Sequence, residues 1–313
     1  MEFFGHKSSE LSSDDFDQLA SLFNRIFEKS VQGDDLRAKY ANPLCGESHH
    51  GLMRGDDGRI AGHMVGIPFR YDFFGRPAVF ANAVDLMIDP DQRADLLSFS
   101  RIYDAMISAS QGLYDFVYAV PNANSHLYFK KLLRWKDIGD LHYYLLPLRA
   151  SKLDARLRGF DWASKIAAQS LSALPFGGGK EEERPIGKRA DPDFIAYRFR
   201  SGYECFTEGD AWAYVRVVDE DSTSTAYVVG ARPLDGAWMR EVVKRVLRRF
   251  GATIDVVLYV GTEIAAPLNL RRVPAKFEPR KLTLVGRRLS DQIDDRVYDL
   301  ANWRFDLMDW DTR

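Results

Sequence analysis

At 313 residues the chain exceeds the usual size of one compact domain, and its 46% hydrophobic and 13% aromatic content can bury real cores, so two domains are expected. A formal net charge of −2 argues against a general nucleic-acid binder, whose phosphate contacts need a basic excess. The two cysteines, Cys45 and Cys205, form no CxxC pair, the N-terminus lacks a leader pattern, and no run of about 18 apolar residues offers a membrane span; a cytoplasmic protein in a reducing compartment is expected.

Ser12-Ser13-Asp14-Asp15 offers a capping box, and Phe16, Leu19, Leu22, Phe23, Ile26 and Phe27 recur at helical spacing, which predicts a helix over 14–29. A short helix over 34–40 should end before Asn42-Pro43. Strands are predicted over 50–54, 59–71 and 78–88, joined by turns at Gly55–Gly58 and Phe74–Pro77 into an antiparallel meander. After Asp89-Pro90-Asp91 a helix carries Leu96, Phe99, Ile102, Tyr103, Met106 and Ile107 on one face. A strand over 114–120, a helix over 122–132 and a strand over 140–148 follow.

Residues 151–174 keep helical periodicity, and the Gly-, Glu- and Pro-rich segment 175–185 reads as a linker. Beyond it the element order repeats more faintly. A helix is predicted around 194–199, strands over 212–218 and 225–231, and a helix from Asp235 that Gly251 caps. A strand over 254–260, a short helix after Thr262 and a closing edge strand over 303–310 complete the chain. The expected fold class is α/β (α+β), with two tandem units, each a mixed, mainly antiparallel twisted sheet flanked by helices. The expected boundaries are 1–150, a helical segment and linker over 151–190, and 191–313.

The most informative stretch is Val84 to Ser98, where a strand turns directly into a helix. A helix N-terminus presents unpaired N–H groups and a positive dipole end, so Gln92, Arg93, Ala94, Asp95, Leu96, Leu97 and Ser98 are candidates to hold a pyrophosphate. The strand before it, at Leu86, Met87 and Ile88, can offer main-chain groups to an extended amide-bearing chain such as pantetheine. Asp85, on the same strand among apolar neighbours, is either a general base or a buried hydrogen-bond anchor. His63 is an alternative base or substrate-facing group, or a polar residue on a solvated face. Arg198 could pair with a substrate phosphate, or stand solvated. His49-His50 has no metal-ligand partners in spacing, Cys45 lacks a nucleophile's constellation, and no metal site is expected. The run Arg240, Lys244, Arg245, Arg248, Arg249 reads as a solvated helix face.

A second segment follows the next strand: Pro121-Asn122-Ala123-Asn124-Ser125, then Lys130-Lys131 and Trp135 to Gly139. With Asp89-Pro90-Asp91-Gln92-Arg93, it resembles the GNAT N-acyltransferases, including a bacterial subgroup with two tandem domains, some of which act on nucleotide-linked amino sugars. The resemblance covers 10–148 by motif and 190–313 by architecture alone. It implies an acyl-CoA site in the first domain, formed by Leu86–Ile88, Gln92–Ser98, Asn122, Asn124 and Ser125. It also implies acetyl-CoA or another acyl-CoA as co-substrate, and a small polar amine as acceptor. Asp85 would be the base, and Tyr128 would protonate the departing thiolate. Where the family has Arg-x-x-Gly-x-Gly, this chain has Arg93-Ala94-Asp95-Leu96-Leu97-Ser98. Leu96 therefore replaces a glycine that lets the main chain approach phosphate, and Asp95 adds a repulsive charge. The alternative function is a non-catalytic acyl-CoA-binding or scaffolding protein. An aminoacyl-tRNA-dependent transferase would need a helical arm and a basic face that the sequence lacks.

Overall fold

The chain opens with a strand, not a helix: β1 (Glu2–Lys7) pairs antiparallel with β2 (His49–Arg54) from Glu2↔Arg54 to Lys7↔His49. Adjacent Phe3 and Phe4 break the alternation by which a strand is read from sequence. This computed structural model describes residues 1–41, 45–92, 97–152, 155–173, 179, 183–199, 201–267 and 269–310.

Helix α1 (Ser13–Phe27) starts on the expected capping box, with Asp15 N donating to Ser12 Oγ at 3.1 Å and Ser12 N to Asp15 Oδ2 at 3.0 Å. It buries Phe16, Leu19, Ala20 and Leu22, and α2 (Gly33–Tyr40) follows. Strands β3 (Ile60–Phe73) and β4 (Arg76–Ile88) form a hairpin whose corner residues Phe74 and Gly75 have φ of 50° and 77°, as a tight two-residue turn requires. Next come α3 (Leu97–Ala109), β5 (Phe116–Ala119), α4 (Ala123–Lys131) and β6 (Lys136–Asp140). The chain then runs through β7 (His142–Pro147), α5 (Asp161–Ala173), β8 (Ile186–Lys188) and α6 (Pro192–Arg198). Strands β9 (Glu204–Glu208), β10 (Ala211–Glu220) and β11 (Thr223–Arg232) lead to α7 (Gly236–Phe250) and β12 (Val256–Gly261). Short β13 (Arg271–Arg272), β14 (Thr283–Arg288) and short β15 (Trp303–Arg304) complete it.

Two compact units result. The first comprises Met1–Gly139, Pro185–Phe194 and Thr283–Asp299; the second Asp140–Arg184, Ile195–Leu282 and Leu300–Arg313. The first sheet runs β1-β2-β3-β4-β5-β14-β6, and the second β13-β7-β12-β11-β10-β9. The β4–β5 and β11–β12 pairs are parallel, whereas β1–β2, β2–β3, β3–β4, β5–β14 and the other pairs of the second sheet are antiparallel. This is the expected class: two mainly antiparallel sheets flanked by helices.

Each sheet also takes the neighbour of its parallel strand from a distant part of the sequence. β14 stands beside β5, with Val285 opposite Ala119, and β7 stands beside β12, with Leu258 opposite Leu145. The strand expected over 140–148 is β7, and an unexpected strand, β6, precedes it; the two enter different sheets.

In the first unit α3 packs Phe99, Ile102, Tyr103 and Met106 on Met64, Ala81, Ala83 and Val117 of the sheet. Gly51 permits this closeness, since a Cβ there would meet Ile102 O at 1.9 Å. In the second, α7 is capped by Asp235 and ends at Gly251, and it packs Trp238, Met239, Val242, Val243 and Val246 into a core with Tyr144, Val228, Val257 and Tyr259.

Two expectations fail near the C-terminus. No helix forms over residues 263–267, because Pro267 lacks an N–H and disfavours helix before it; Ile264 N donates instead to Tyr144 Oη at 3.2 Å. The edge strand over 303–310 shrinks to Trp303–Arg304. Beyond it the chain turns inward, with Asp306 N on Asp309 Oδ2 (3.0 Å) and Met308 N on Asp306 Oδ1 (3.1 Å). The expected linker falls largely on 174–178 and 180–182, outside the described residues. Among the described residues no helix is long and apolar enough to cross a membrane.

Candidate functional site

β4 and β5 pair only through Phe80↔Phe116, Ala81↔Val117 and Asn82↔Tyr118, although β4 continues for six further residues to Ile88. Among the described residues no strand pairs with that part of β4 on its β5 side. Here β4 also bulges. Val65 lies opposite Val84 and His63 opposite Met87, so β4 carries one residue more than β3 between those pairs. Asp85 adopts a φ of +51°, where a non-glycine residue is strained. The regular mid-strand position expected for Asp85 is thus a bulge at the mouth of a notch between two parallel strands.

The bulge turns the Asp85 carboxylate toward α2. Its Oδ2 accepts from Lys39 Nζ at 2.6 Å and from the Tyr40 hydroxyl at 2.7 Å. Asp85 is 11% exposed and Lys39 24%, so the ion pair is shielded but reachable. His63, a sequence candidate, is fully buried beside this group. Its Nε2 lies 2.9 Å from His50 Nδ1, and His50 Nε2 lies 2.9 Å from Ser8 Oγ. Burial pushes His63 down to about 3, aided by the Lys39 charge and opposed by a hydrogen bond to the Asp85 main chain. Burial and the neighbouring imidazole likewise hold His50 well below the ordinary histidine range. Both rings are therefore neutral near pH 7, and His63 is closed to solvent. His49 is engaged elsewhere, with Nδ1 2.6 Å from Tyr114 Oη. Lys39, Tyr40 and His50 carried no motif; only the need of a carboxylate among apolar residues for partners hinted at them.

Of the other candidates, Leu86 and Ile88 lean on the α3-side core and Met87 is buried. Gln92 ends a short turn, Leu97 opens α3 half-exposed, and Ser98 is buried. Arg93, Ala94, Asp95 and Leu96 lie outside the described residues. Asn122 is the N-cap of α4, its Oδ1 accepting from Asn124 N at 3.0 Å and Ser125 N at 2.9 Å, and Ser125 Oγ lies 3.1 Å from that oxygen. On the next turn Phe129 enters the core while Tyr128 stays 43% exposed, its ring 5.8 Å from that of Phe99. The first turn of α3 thereby meets the second turn of α4 through Phe99. Arg198 is absent from this group: it belongs to the second unit, where it donates to Tyr203 Oη (3.0 Å) and to the carbonyls of Leu307 (3.2 Å) and Met308 (3.3 Å). The basic run on α7 is paired in part, Arg245 with Glu241 and Glu208, and Arg249 with Glu204.

A cleft of about 770 Å³ opens between α1, the Gly55–Arg59 turn that leads into β3, and the Asp89–Gln92 segment that follows β4. Asp14, Asp17, Asp56, Asp57 and Asp89 line it against only Arg25 and Arg59. Its potential favours a cation, although Arg25 already holds Asp89 at 2.6 Å.

The second unit repeats the geometry with another outcome. β11 and β12 pair from Thr225↔Val256 to Val228↔Tyr259, and β11 bulges at once, with Val228 opposite Val215 but Gly230 opposite Tyr214. The C-terminal turn fills the gap. Gly261 bridges to Asp306, Thr262 N donates to Phe305 O at 2.7 Å, and Met308 packs so close to Gly230 that a Cβ there would meet its sulfur at 2.7 Å. Arg232 Nη1 donates to Asp306 Oδ2 at 2.9 Å, sealing the turn against β11. Asp306 is wholly buried, and burial pushes its carboxyl up to about 6 despite Arg232.

No protein-family model and no curated protein matches this chain. Solved structures do. A conserved protein of unknown function from Enterococcus faecalis V583, described as a probable N-acyltransferase, is 11% identical with a TM-score of 0.57 over 92% of this chain and 72% of that one. A GCN5-related N-acetyltransferase from Anabaena variabilis is 11% identical with a TM-score of 0.58, covering 92% and 73%. Another from Kribbella flavida is 12% identical with a TM-score of 0.58, covering 92% and 71%. At such identities the likeness establishes the fold: the chain has the fold of GCN5-related N-acetyltransferases.

Proposed function

We propose that this protein is an acyl-CoA-dependent N-acyltransferase with its site in the first unit, and that the second is a diverged GNAT-like unit without an acyl-CoA site. The observation that carries the reading is the bulged stretch of β4 beyond Asn82, paired by β3 on one side but no longer by β5 on the other, with a carboxylate at its mouth. An extended pantetheine needs main-chain partners, and β4 beyond Asn82 has an edge that β5 does not use. Acyl-CoA supplies the activated thioester; Leu86–Ile88 would line the pantetheine, and a main-chain N–H of this stretch would hold the thioester oxygen. The segment Gln92–Ser98 would meet the pyrophosphate, and Asn122, Asn124 and Ser125 would stand at the N-terminal end of α4.

Asp85 would take a proton from the acceptor's ammonium, leaving an amine able to attack the thioester carbon. Tyr128, partly exposed on α4 against Phe99, would return a proton to the leaving sulfur. The acidic cleft between α1, the Gly55–Arg59 turn and Asp89 would draw a cationic amine toward the first unit, and a nucleotide-linked amino sugar is one such polar amine. A second reading, a non-catalytic acyl-CoA-binding protein, is favoured by Lys39, which already neutralises Asp85.

A thermal-shift series with several acyl-CoAs, repeated on Arg93→Glu, tests the first step. Stabilisation of the wild type that weakens in the variant supports the reading, and no stabilisation by any acyl-CoA removes it. Release of CoA thiol in the presence of a panel of amines then separates the catalytic reading from the non-catalytic one.

A further inference from the structure

The Asp85 carboxylate already holds a primary amine. Lys39 Nζ and the Tyr40 hydroxyl converge on the same carboxylate oxygen at 2.6 and 2.7 Å, at the residue where β4 bulges beyond its pairing with β5. An external acceptor must displace that ammonium to reach the carboxylate; Lys39 needs only to turn about its own flexible stem. Two other lysines show a different placement. Lys130 pairs with Asp137 on an exposed surface of α4, and Lys188 is buried against the ring of Phe69, with its Nζ 3.7 Å from the centroid.

We propose that Lys39 is itself an acyl acceptor of the first unit, modified on Nζ by an acyl-CoA bound along β4. The inference rests on the acyl-CoA reading given above. Asp85 takes a proton from the Lys39 ammonium, and the freed amine attacks the thioester carbon. The N–C bond forms, the C–S bond breaks, and sulfur leaves with the bonding pair as CoA thiolate. The second nitrogen proton passes to that thiolate or to water. The net reaction converts lysine ammonium and acyl-CoA into acyl-lysine, CoA thiol and one proton. The product carries no charge, so the contact with Asp85 as an ion pair is lost and the carboxylate is left with Tyr40.

The full chain incubated with acetyl-CoA, digested and mapped by mass spectrometry tests this, with acetyl-CoA binding followed in parallel by thermal shift. The expected result is one acetyl group on the Lys39 peptide, formed at a rate independent of protein concentration. Lys39→Arg should lose the label while keeping the thermal shift with acetyl-CoA. Asp85→Asn should slow labelling by about 100-fold, the scale of a lost general base, with the shift retained. A wild type that acetyl-CoA stabilises but does not label at Lys39 overturns the proposal and leaves acyl-CoA binding standing. Labelling that is equally fast in Asp85→Asn overturns it as well, since spontaneous acylation would then suffice. No stabilisation by acetyl-CoA removes the acyl-CoA reading and this proposal together.

Discussion

The two sheets carry the same device and use it differently. In each, a strand runs parallel with its neighbour for a few residues and then bulges: β4 past Asn82, β11 past Val228. At the first bulge stands Asp85, strained at φ +51°, partly exposed and paired with a lysine that solvent can reach. At the second stand Val229 and Gly230, wholly apolar, and the gap is closed by Phe305 to Met308 with a buried Arg232–Asp306 pair. One bulge keeps a charged group where β4 has left its pairing with β5, and the other is closed by the segment Phe305 to Met308. Strain and charge retained where stability would favour neither are what motivate the site proposed at the first bulge.

The sharpest way to break this comparison is to exchange what each carboxylate is asked to do. Asp85→Asn keeps the shape of the side chain and removes the base. We expect acyl transfer to fall by about 100- to 10,000-fold, while stability falls by only about 1 to 3 kcal/mol, since an amide oxygen can still accept from Lys39 and Tyr40. Asp306→Ala should do the reverse. It leaves the Arg232 guanidinium buried without its counter-charge, a loss of about 3 to 5 kcal/mol, readable by urea denaturation, with acyl-CoA binding unchanged in the folded fraction. If Asp85→Asn unfolds the protein while Asp306→Ala leaves it stable, the roles given to the two bulges are reversed.

Acid should separate the units next. His63 binds its proton only near pH 3 when folded, against 6.5 for an ordinary histidine. Below about pH 6.5 the unfolded chain therefore takes up a proton that the folded chain refuses, and stability falls by about 1.4 kcal/mol per pH unit toward pH 3. His50 acts in the same direction. Asp306 acts oppositely: its folded value near 6 exceeds the usual 3.8, so the folded state binds the extra proton and gains stability as pH falls from 6 to 3.8. Asp306→Asn removes that gain. Its unfolding free energy should decline with acid more steeply than the wild type's within this window, and equal slopes would show that Asp306 is not held in its raised state.

How far the sequence disclosed these features depends on the range of the interactions behind them. The Ser12 cap, the Phe74–Gly75 corner and the Asn122 cap are decided within four residues and were readable. The stripes of α3 and α7 follow from a single period. The bulge at Asp85 is a matter of register against β3, and no residue between Val84 and Met87 announces it. The Lys39–Asp85 and His50–His63 contacts join residues 46 and 13 apart, so neither could be paired before the fold placed them. β14 was missed for the same reason in stronger form: a strand beside β5 made from residues 283–288 is fixed by sheet topology alone.

The smallest effect tests the remaining ambiguity in the first unit, whether Asn122 serves the helix or the ligand. Its Oδ1 accepts from two main-chain N–H groups and so satisfies donors that α4 would otherwise leave open. Asn122→Ala should therefore cost about 1 kcal/mol of stability. Asn122→Ser retains a capping oxygen on a shorter side chain and should recover most of it. If capping is the whole role, acyl-CoA affinity is unchanged in both variants. If affinity drops in both while stability recovers in the serine variant, the Asn122 amide itself touches the ligand, and the first notch extends from the Asp85 bulge to the start of α4.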